Sequence, residues 1–277
     1  MKKIYSALVL LSVLSSCSQS LMFNETFEDT EESTRALGGN IALVRSGSYV
    51  RNIATPYTLN RDYTIKVKNL STTKTVVVHQ AKTNGTWVDI NAVYLGTAEP
   101  GFEIWTACLN WTSVNNSVNP YGNTFCLKMV ANGTTYWDNN SGANYTLSQN
   151  GGELLGAGYN VAQSFASAYK NFTTGKAHFN GNIAVRNLSP TKSVTIVYTI
   201  NSWQTQSSVA ALYSSTWTVS NGTSIPSPNA VGVENWIFDV NTGAQVADME
   251  YVIKYFVNGT TYYDNNHGKN YKLYVRY

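Results

Sequence analysis

The residues best suited to recognition chemistry occur twice in this chain. Tyr136-Trp137-Asp138-Asn139-Asn140-Ser141-Gly142-Ala143-Asn144-Tyr145 returns as Tyr262-Tyr263-Asp264-Asn265-Asn266-His267-Gly268-Lys269-Asn270-Tyr271. Cores tolerate drift while volume and pattern persist, so packing alone does not demand a run of amides between aromatic residues. An Asn amide offers both donor and acceptor and can pair with adjacent hydroxyls. An aromatic ring covers an apolar face. Neither is charged, so desolvation costs less than for a carboxylate. A sugar, with a C–H face and a rim of hydroxyls, asks for this mixture. The candidate contacts are Trp137, Asn139, Asn140 and Asn144 in the first copy, and Tyr263, Asn265, Asn266 and Asn270 in the second. A turn is the competing role, because Asp, Asn and Gly favour tight turns and left-handed backbone. Recurrence, the aromatic before each loop and the later Asn argue for more than a turn.

Catalysis is a poor fit. Hydrolysis of a glycosidic bond usually takes two carboxylates roughly 5 to 10 Å apart. The recurring acid is Asp138/Asp264, in a turn where a structural role suffices; Asp89, Glu99 and Glu103 show no evident counterparts. His79, His178 and His267 share neither metal-ligand spacing nor repeat equivalence, and no nucleophile elbow stands out. A non-enzymatic protein without cofactor or metal is expected.

Charged residues make up 13% of the chain, about half the usual share, and aromatics another 13%. Solubility must therefore rest on Asn, Ser, Thr and Tyr. The net charge of +3 is small, and no basic run interleaved with aromatics is present. No nucleic-acid partner is therefore expected, and neutral polar ligands fit better.

The elements that must position these loops also repeat. Val67-Lys68-Asn69-Leu70-Ser71-Thr72-Thr73-Lys74-Thr75-Val76 matches Val185-Arg186-Asn187-Leu188-Ser189-Pro190-Thr191-Lys192-Ser193-Val194. Trp87 aligns with Trp203, Tyr94 with Tyr213, and Lys128 with Lys254. The period inside each repeat is two, as in Tyr63, Ile65, Val67 and in Val194, Ile196, Tyr198. Asn132-Gly133 and Asn258-Gly259 are hairpin signals. The expected fold is all-β: two tandem antiparallel, immunoglobulin-like sandwiches over residues 36–150 and 151–277. The Trp87 and Trp203 contexts look loop-like, which favours exposure over core packing.

Residues 1–17 read as a lipoprotein signal peptide. Met1-Lys2-Lys3 is basic, Ile4 to Leu14 is apolar, and Leu14-Ser15-Ser16-Cys17 resembles a lipobox, whose cysteine would be lipidated. Residues 18–35 are acidic and polar and read as a disordered tether. A lipid anchor in a bacterial cell envelope is expected, at the outer membrane, the cell surface or the periplasmic face. If Cys17 is lipidated, Cys108 and Cys126 remain as an even pair in an exported protein, and a disulfide between them is expected.

Each repeat resembles the family 21 carbohydrate-binding modules, the starch- and glycogen-binding type. The resemblance runs through the Val-(Lys/Arg)-Asn-Leu…Lys strand, the Trp of Gly85-Thr86-Trp87 or Asn201-Ser202-Trp203, and the Tyr-(Trp/Tyr)-Asp-Asn-Asn-x-Gly-x-Asn-Tyr terminus. It implies a non-catalytic sandwich that binds α-1,4-glucans. One sugar site would use Trp87, Trp137, Asn139 and Asn144, with Trp203, Tyr263, Asn265 and Asn270 in the second repeat. A second sugar site would use Asn69, Lys74, Asn187 and Lys192. Thr72 and Pro190 stand where the family often has an aromatic residue in that second site, and Cys126 and Val252 where some members have one near the first. Two functions remain open on the sequence. One is a lipid-anchored protein that holds starch, glycogen or maltooligosaccharides near glucan-degrading or importing proteins. The other is an adhesin or envelope structural protein whose sandwich repeats carry no sugar site.

Overall fold

The structure, a computed structural model, describes residues 39–51, 56–115, 117–218 and 224–275. Cys17 and the acidic segment lie outside the described residues.

The first repeat runs through β1 (Ile41–Arg51), β2 (Thr58–Lys68), β3 (Lys74–Lys82), β4 (Trp87–Asn91) and β5 (Val93–Thr97). It continues with β6 (Phe102–Thr112), β7 (Tyr121–Ala131), β8 (Thr134–Asp138), β9 (Tyr145–Thr146) and β10 (Gly152–Leu155). The second opens with β11 (Val161–Lys170), β12 (Ala177–Arg186), β13 (Lys192–Thr199), β14 (Ser207–Ala210) and β15 (Leu212–Ser214). Then come β16 (Thr216–Trp217), β17 (Ile225–Pro226), β18 (Val233–Asn241), β19 (Asp248–Val257), β20 (Thr260–Asp264) and β21 (Tyr271–Tyr274). Every ladder is antiparallel. One sandwich faces β10-β1-β2-β6-β5 against β4-β3-β7-β8, with β9 on β7. The other faces β11-β12-β18-β15 against β14-β13-β19-β20, with β21 on β19. The two tandem sandwiches read from the alternation are therefore present, and the helical content among the described residues is one short 3-10 turn at Asn140–Gly142.

Alternation builds the cores. Leu59, Tyr63, Ile65 and Val67 of β2 meet Phe125, Leu127 and Met129 of β7 in the first core. Phe179, Ile183 and Val185 meet Tyr251, Ile253 and Tyr255 in the second. Fully burying one such aliphatic side chain is worth about 1.5–3 kcal/mol. Both Asn-Gly pairs close two-residue hairpins with left-handed backbone, at φ 50° and 74° for Asn132-Gly133 and 51° and 77° for Asn258-Gly259. The first core also holds Arg61, fully buried, donating to Ser48 Oγ, Gln80 Oε1, Gly122 O and Leu147 O. Phe179 occupies the matching position of the second repeat, opposite Val240 as Arg61 is opposite Leu109.

The junction between the repeats is built, not bare. β10 adds to the first sheet alongside β1, with Gly47 opposite Glu153. Glu153 accepts from Arg45 Nη1 at 2.8 Å, Tyr49 Oη at 2.7 Å and Ser164 Oγ at 3.0 Å. Asn229 of the second repeat donates to Gly151 O and Glu153 O. Leu155, Ala162, Ala184, Trp217, Ile225 and Val233 form a small core around the segment. Gly156 sits so close to β1 that a Cβ there would fall 1.7 Å from Leu43 O, so no other residue fits.

The expected Cys108–Cys126 disulfide is corrected: both cysteines are free. Ala107 and Leu109 point into the core from β6, so Cys108 points out; Phe125 and Leu127 do the same on β7, so Cys126 points out of the opposite sheet. Strand periodicity turns the two sulfurs away from each other. Burial, with help from Asp138 and Asp89, pushes the Cys126 thiol up to about 11. Thiol titration of native, non-reduced protein should therefore find Cys108 reacting first and Cys126 reacting on unfolding. A 108–126 cross-linked peptide in a non-reducing mass map would overturn this.

Candidate functional site

The repeated loop is braced from within, and the same bonds recur in both copies. Asp138 accepts from the N–H of Leu43 at 2.7 Å, the N–H of Asn140 at 3.2 Å and the Tyr145 hydroxyl at 2.9 and 3.0 Å. Asp264 does so from Gln163, Asn266 and Tyr271. Asn139 Oδ1 accepts from the Gly142 N–H, and Asn140 Nδ2 donates to Asn144 O. Asn265 and Asn266 repeat both bonds. Asn140, Asn144, Asn266 and Asn270 all have positive φ, near 50–56°, where Asn is tolerated better than most residues. Much of the loop's sequence is thus set by its turn. Trp137, Asn139, Asn140 and Ser141 still line an open cleft of about 210 Å³ together with Ala157 and Gly158.

Beside this cleft the first repeat presents a wall of rings. Trp87 is 39% exposed and Trp137 48%. Trp87 lies flat on His79, centroids 4.8 Å apart and planes 9° apart, and Trp137 meets the same imidazole edge-on at 5.7 Å. His79 Nδ1 is 2.5 Å from Asp89 Oδ1, and Lys128 Nζ donates to Asp89 Oδ2 at 3.0 Å while lying over the Trp137 ring. Partial desolvation works to raise the Asp89 carboxyl, but the hydrogen bonds from His79 and Lys128 outweigh it and hold it below the usual carboxylate range. Each indole is therefore held in place before any ligand arrives.

The second repeat does not rebuild this wall. Val78 pairs with Ile90 and Ile196 with Val209, so the residue at the place of Trp87 is Gln206, three before Val209. Val197 replaces His79, and Ser208 replaces Asp89. The expected platform Trp203 is corrected. It sits before that strand in a turn with φ 64°, its N–H bound to Thr199 Oγ1, and its indole is buried at 8% exposure. Only the lysine and ring persist, as Lys254 over Tyr263 at 5.9 Å. Loop two also leans on the first repeat. Lys269 Nζ meets Thr97 Oγ1 of the first repeat, while His267 packs edge-on to Tyr159 within its own repeat. Burial, and then the charge of Lys66, push His267 down to about 3.

The second candidate cluster is duplicated almost atom for atom. Lys74 Nζ donates to Asn69 Oδ1 at 3.1 Å and Glu103 Oε2 at 2.8 Å, and Trp105 Nε1 donates to the same carboxylate at 2.9 Å. Lys192, Asn187, Glu234 and Trp236 repeat this at 2.6, 2.7 and 2.9 Å. Tyr94 stands edge-on to Trp105, and Tyr213 to Trp236, both at 6.0 Å. Asn187, Pro190, Lys192, Tyr213, Glu234 and Trp236 line a cleft of about 450 Å³. The lysines are not solvated strand-edge cations, since their side chains are only 3% and 4% exposed. Sequence reasoning missed the glutamates, tryptophans and their pairing. The signal was there as Gly101-Phe102-Glu103-Ile104-Trp105 and Gly232-Val233-Glu234-Asn235-Trp236, so Glu103 does have a counterpart.

Two antiparallel sandwiches with a repeated amide loop, and exposed, pre-braced rings in the first, have the build of a carbohydrate-binding module, and the family comparison gives that class. The model of the carbohydrate/starch-binding module (family 21) matches residues 62–148 and again 165–274, and the chain belongs to that family. Glucoamylase 1 of Rhizopus oryzae is 30% identical over 123 residues, 43% of this chain and 18% of the relative. Protein phosphatase 1 regulatory subunit 3B of Danio rerio is 34% identical over 97 residues, 34% of this chain and 29% of the relative. The chain thus spans less than a third of the length of these curated relatives. Among solved structures, the starch binding domain of Rhizopus oryzae glucoamylase, in complex with β-cyclodextrin and maltoheptaose, is 28% identical with a TM-score of 0.30; the match covers 40% of this chain and 94% of that one. The carbohydrate binding module of the muscle glycogen-targeting subunit of protein phosphatase-1 is 22% identical with a TM-score of 0.30, covering 42% and 75%.

The His267 environment sets a pH dependence. Between its unfolded value near 6.5 and about 3 in the fold, the unfolded chain binds the extra proton, so stability falls as pH drops through that window. Denaturation curves from pH 7 to about 3 should show this loss, and His267→Asn should flatten it. An unchanged slope in the variant would show that His267 is not the group.

Proposed function

We propose that this chain is a non-catalytic α-glucan-binding protein whose ligand is starch, glycogen or a maltooligosaccharide. The carrying observation is the Trp87–His79–Trp137 wall, exposed and fixed by Asp89 and Lys128 beside the amide loop. Fixed rings cost little order on binding, and stacking then adds directly to affinity. Family membership supports the reading, and so does a relative named as a glucoamylase. The two Asn-Lys-Glu-Trp clusters supply a further contact per repeat, so three surfaces on two tandem modules meet the polymer. Cys17 anchors the protein by lipid in a bacterial envelope, where it holds glucan for degrading or importing proteins.

Binding to insoluble starch, with cellulose and chitin as controls, tests the ligand class; retention on cellulose or chitin alone would refute it. Trp87→Ala and Trp137→Ala should each weaken starch binding by about 1–3 kcal/mol with the melting temperature kept. Trp203→Ala should do the opposite, costing about 3–5 kcal/mol of stability while folded molecules still bind. If Trp203→Ala abolishes binding without destabilising, the assignment of the rings is wrong. Cys17→Ala should move the protein out of the membrane fraction, and a wild-type protein already soluble with unmodified Cys17 would exclude the anchor.

A further inference from the structure

The second repeat lacks the Trp87 ring, yet it carries a braced ring elsewhere. On the outer face of the sheet β11-β12-β18-β15, Tyr169 is 44% exposed and lies flat on His178, with centroids 4.7 Å and planes 17° apart. His178 Nε2 is 2.7 Å from Asp239 Oδ1. This is the construction of Trp87 on His79 held by Asp89. The two trios lie on different sheets and align at no residue, so repeat descent does not explain the likeness.

The surroundings of Tyr169 suit the same kind of ligand. Phe165, 55% exposed, precedes it by four residues on β11, which places the two rings about 13 Å apart along the strand. Ser167 lies between them and donates to Asn180 Oδ1 at 2.8 Å. Asn182 Nδ2 donates to Asn235 Oδ1 on the neighbouring strand. Phe172 is fully exposed in the turn that follows β11. Ile237 and Leu212 are also exposed and paired on this face, but Asn182 stands between them and Phe165, and Ser167 and Asn180 separate the two rings, whereas a protein partner would favour a continuous apolar patch. The first repeat offers nothing comparable. By register Arg45 stands for Phe165 and Asn60 for His178, and Arg45 and Tyr49 are both bound to Glu153.

We propose that this face is a saccharide platform of the second repeat. Tyr169 and Phe165 stack on sugar rings of one α-glucan segment, and Ser167 and Asn180 meet the hydroxyls between them. The proposal rests on the glucan reading above. It gives the second repeat a substitute for the ring wall it has lost, on a different face of the sandwich.

The test uses the full chain with 15N-labelled histidine rings, titrated with maltoheptaose, and depletion onto granular starch. In the wild type His178 and His79 should both shift. In Tyr169→Ala the His178 response should vanish while that of His79 stays, and granule affinity should drop by roughly fivefold or more. Tyr169→Leu, which keeps apolar cover without the ring, should behave alike, and melting curves of both variants should match the wild type. A silent His178 beside a responding His79 overturns the platform and leaves the first-repeat site standing. A His178 signal that follows protein concentration instead of sugar also overturns it, as a self-association surface. Silence at both histidines refutes the glucan reading along with the proposal.

Discussion

One carboxylate per repeat carries the geometry of the loop. Asp138 and Asp264 each sit at the end of a strand in one sheet and accept the N–H of a residue in the other, Leu43 or Gln163. The same oxygens take the Tyr145 or Tyr271 hydroxyl, whose ring lies in or against the core. A buried backbone N–H without a partner is costly, so this acid both closes the sandwich and fixes where the amide loop begins. Burial works to raise Asp264, and the bonds from Tyr271, Gln163 and Asn266 oppose that. The Asp-Asn-Asn motif is therefore first a fastening, and the proposed recognition uses its outer side.

The same fastening allowed the two repeats to diverge around it. Loop and edge clusters survive in both copies because each is a closed set of mutual hydrogen bonds. Removing one member of the Lys-Glu-Trp trio would leave a carboxylate buried at 8% or 6% exposure without its partners, which costs more than the contact itself contributes. The ring wall has no such lock on the second repeat. Trp87 is exposed, so its loss to Gln206 leaves no cavity, and Val197 and Ser208 could replace the histidine and aspartate that served it.

The strands, the hairpins and the pairing of Tyr94 with Tyr213 and Lys128 with Lys254 were legible, because alternation and Asn-Gly turns are local properties. Trp203 was misread for the same reason. Its spacing from the preceding strand resembles that of Trp87, eleven residues after Lys192 against thirteen after Lys74, but it stays in the turn before the strand, and only cross-strand register reveals Gln206 as the match. The disulfide failed on facing direction, which depends on which sheet each cysteine joins. The Asn-Lys cluster was found by half: Asn69 and Lys74 lie close in sequence, whereas Glu103 and Trp105 arrive from a distant strand.

On the proposed glucan reading, the junction decides how the modules can share a polymer. Two sites on a free tether gain from an effective concentration set by linker length, and lose that gain if the span is wrong. Here residues 152–155 are a strand of the first sheet, clasped by Asn229 and packed under Trp217 and Ile225 of the second repeat. Gly156 touches the backbone of Leu43, and Lys269 reaches Thr97. These contacts leave little slack to be averaged over. The gain from a second site then depends on whether one glucan, or neighbouring chains in a granule, already present sugars at the spacing that the contacts impose. Such an arrangement favours an ordered, multi-chain surface over a short soluble oligosaccharide, which can occupy one face at a time.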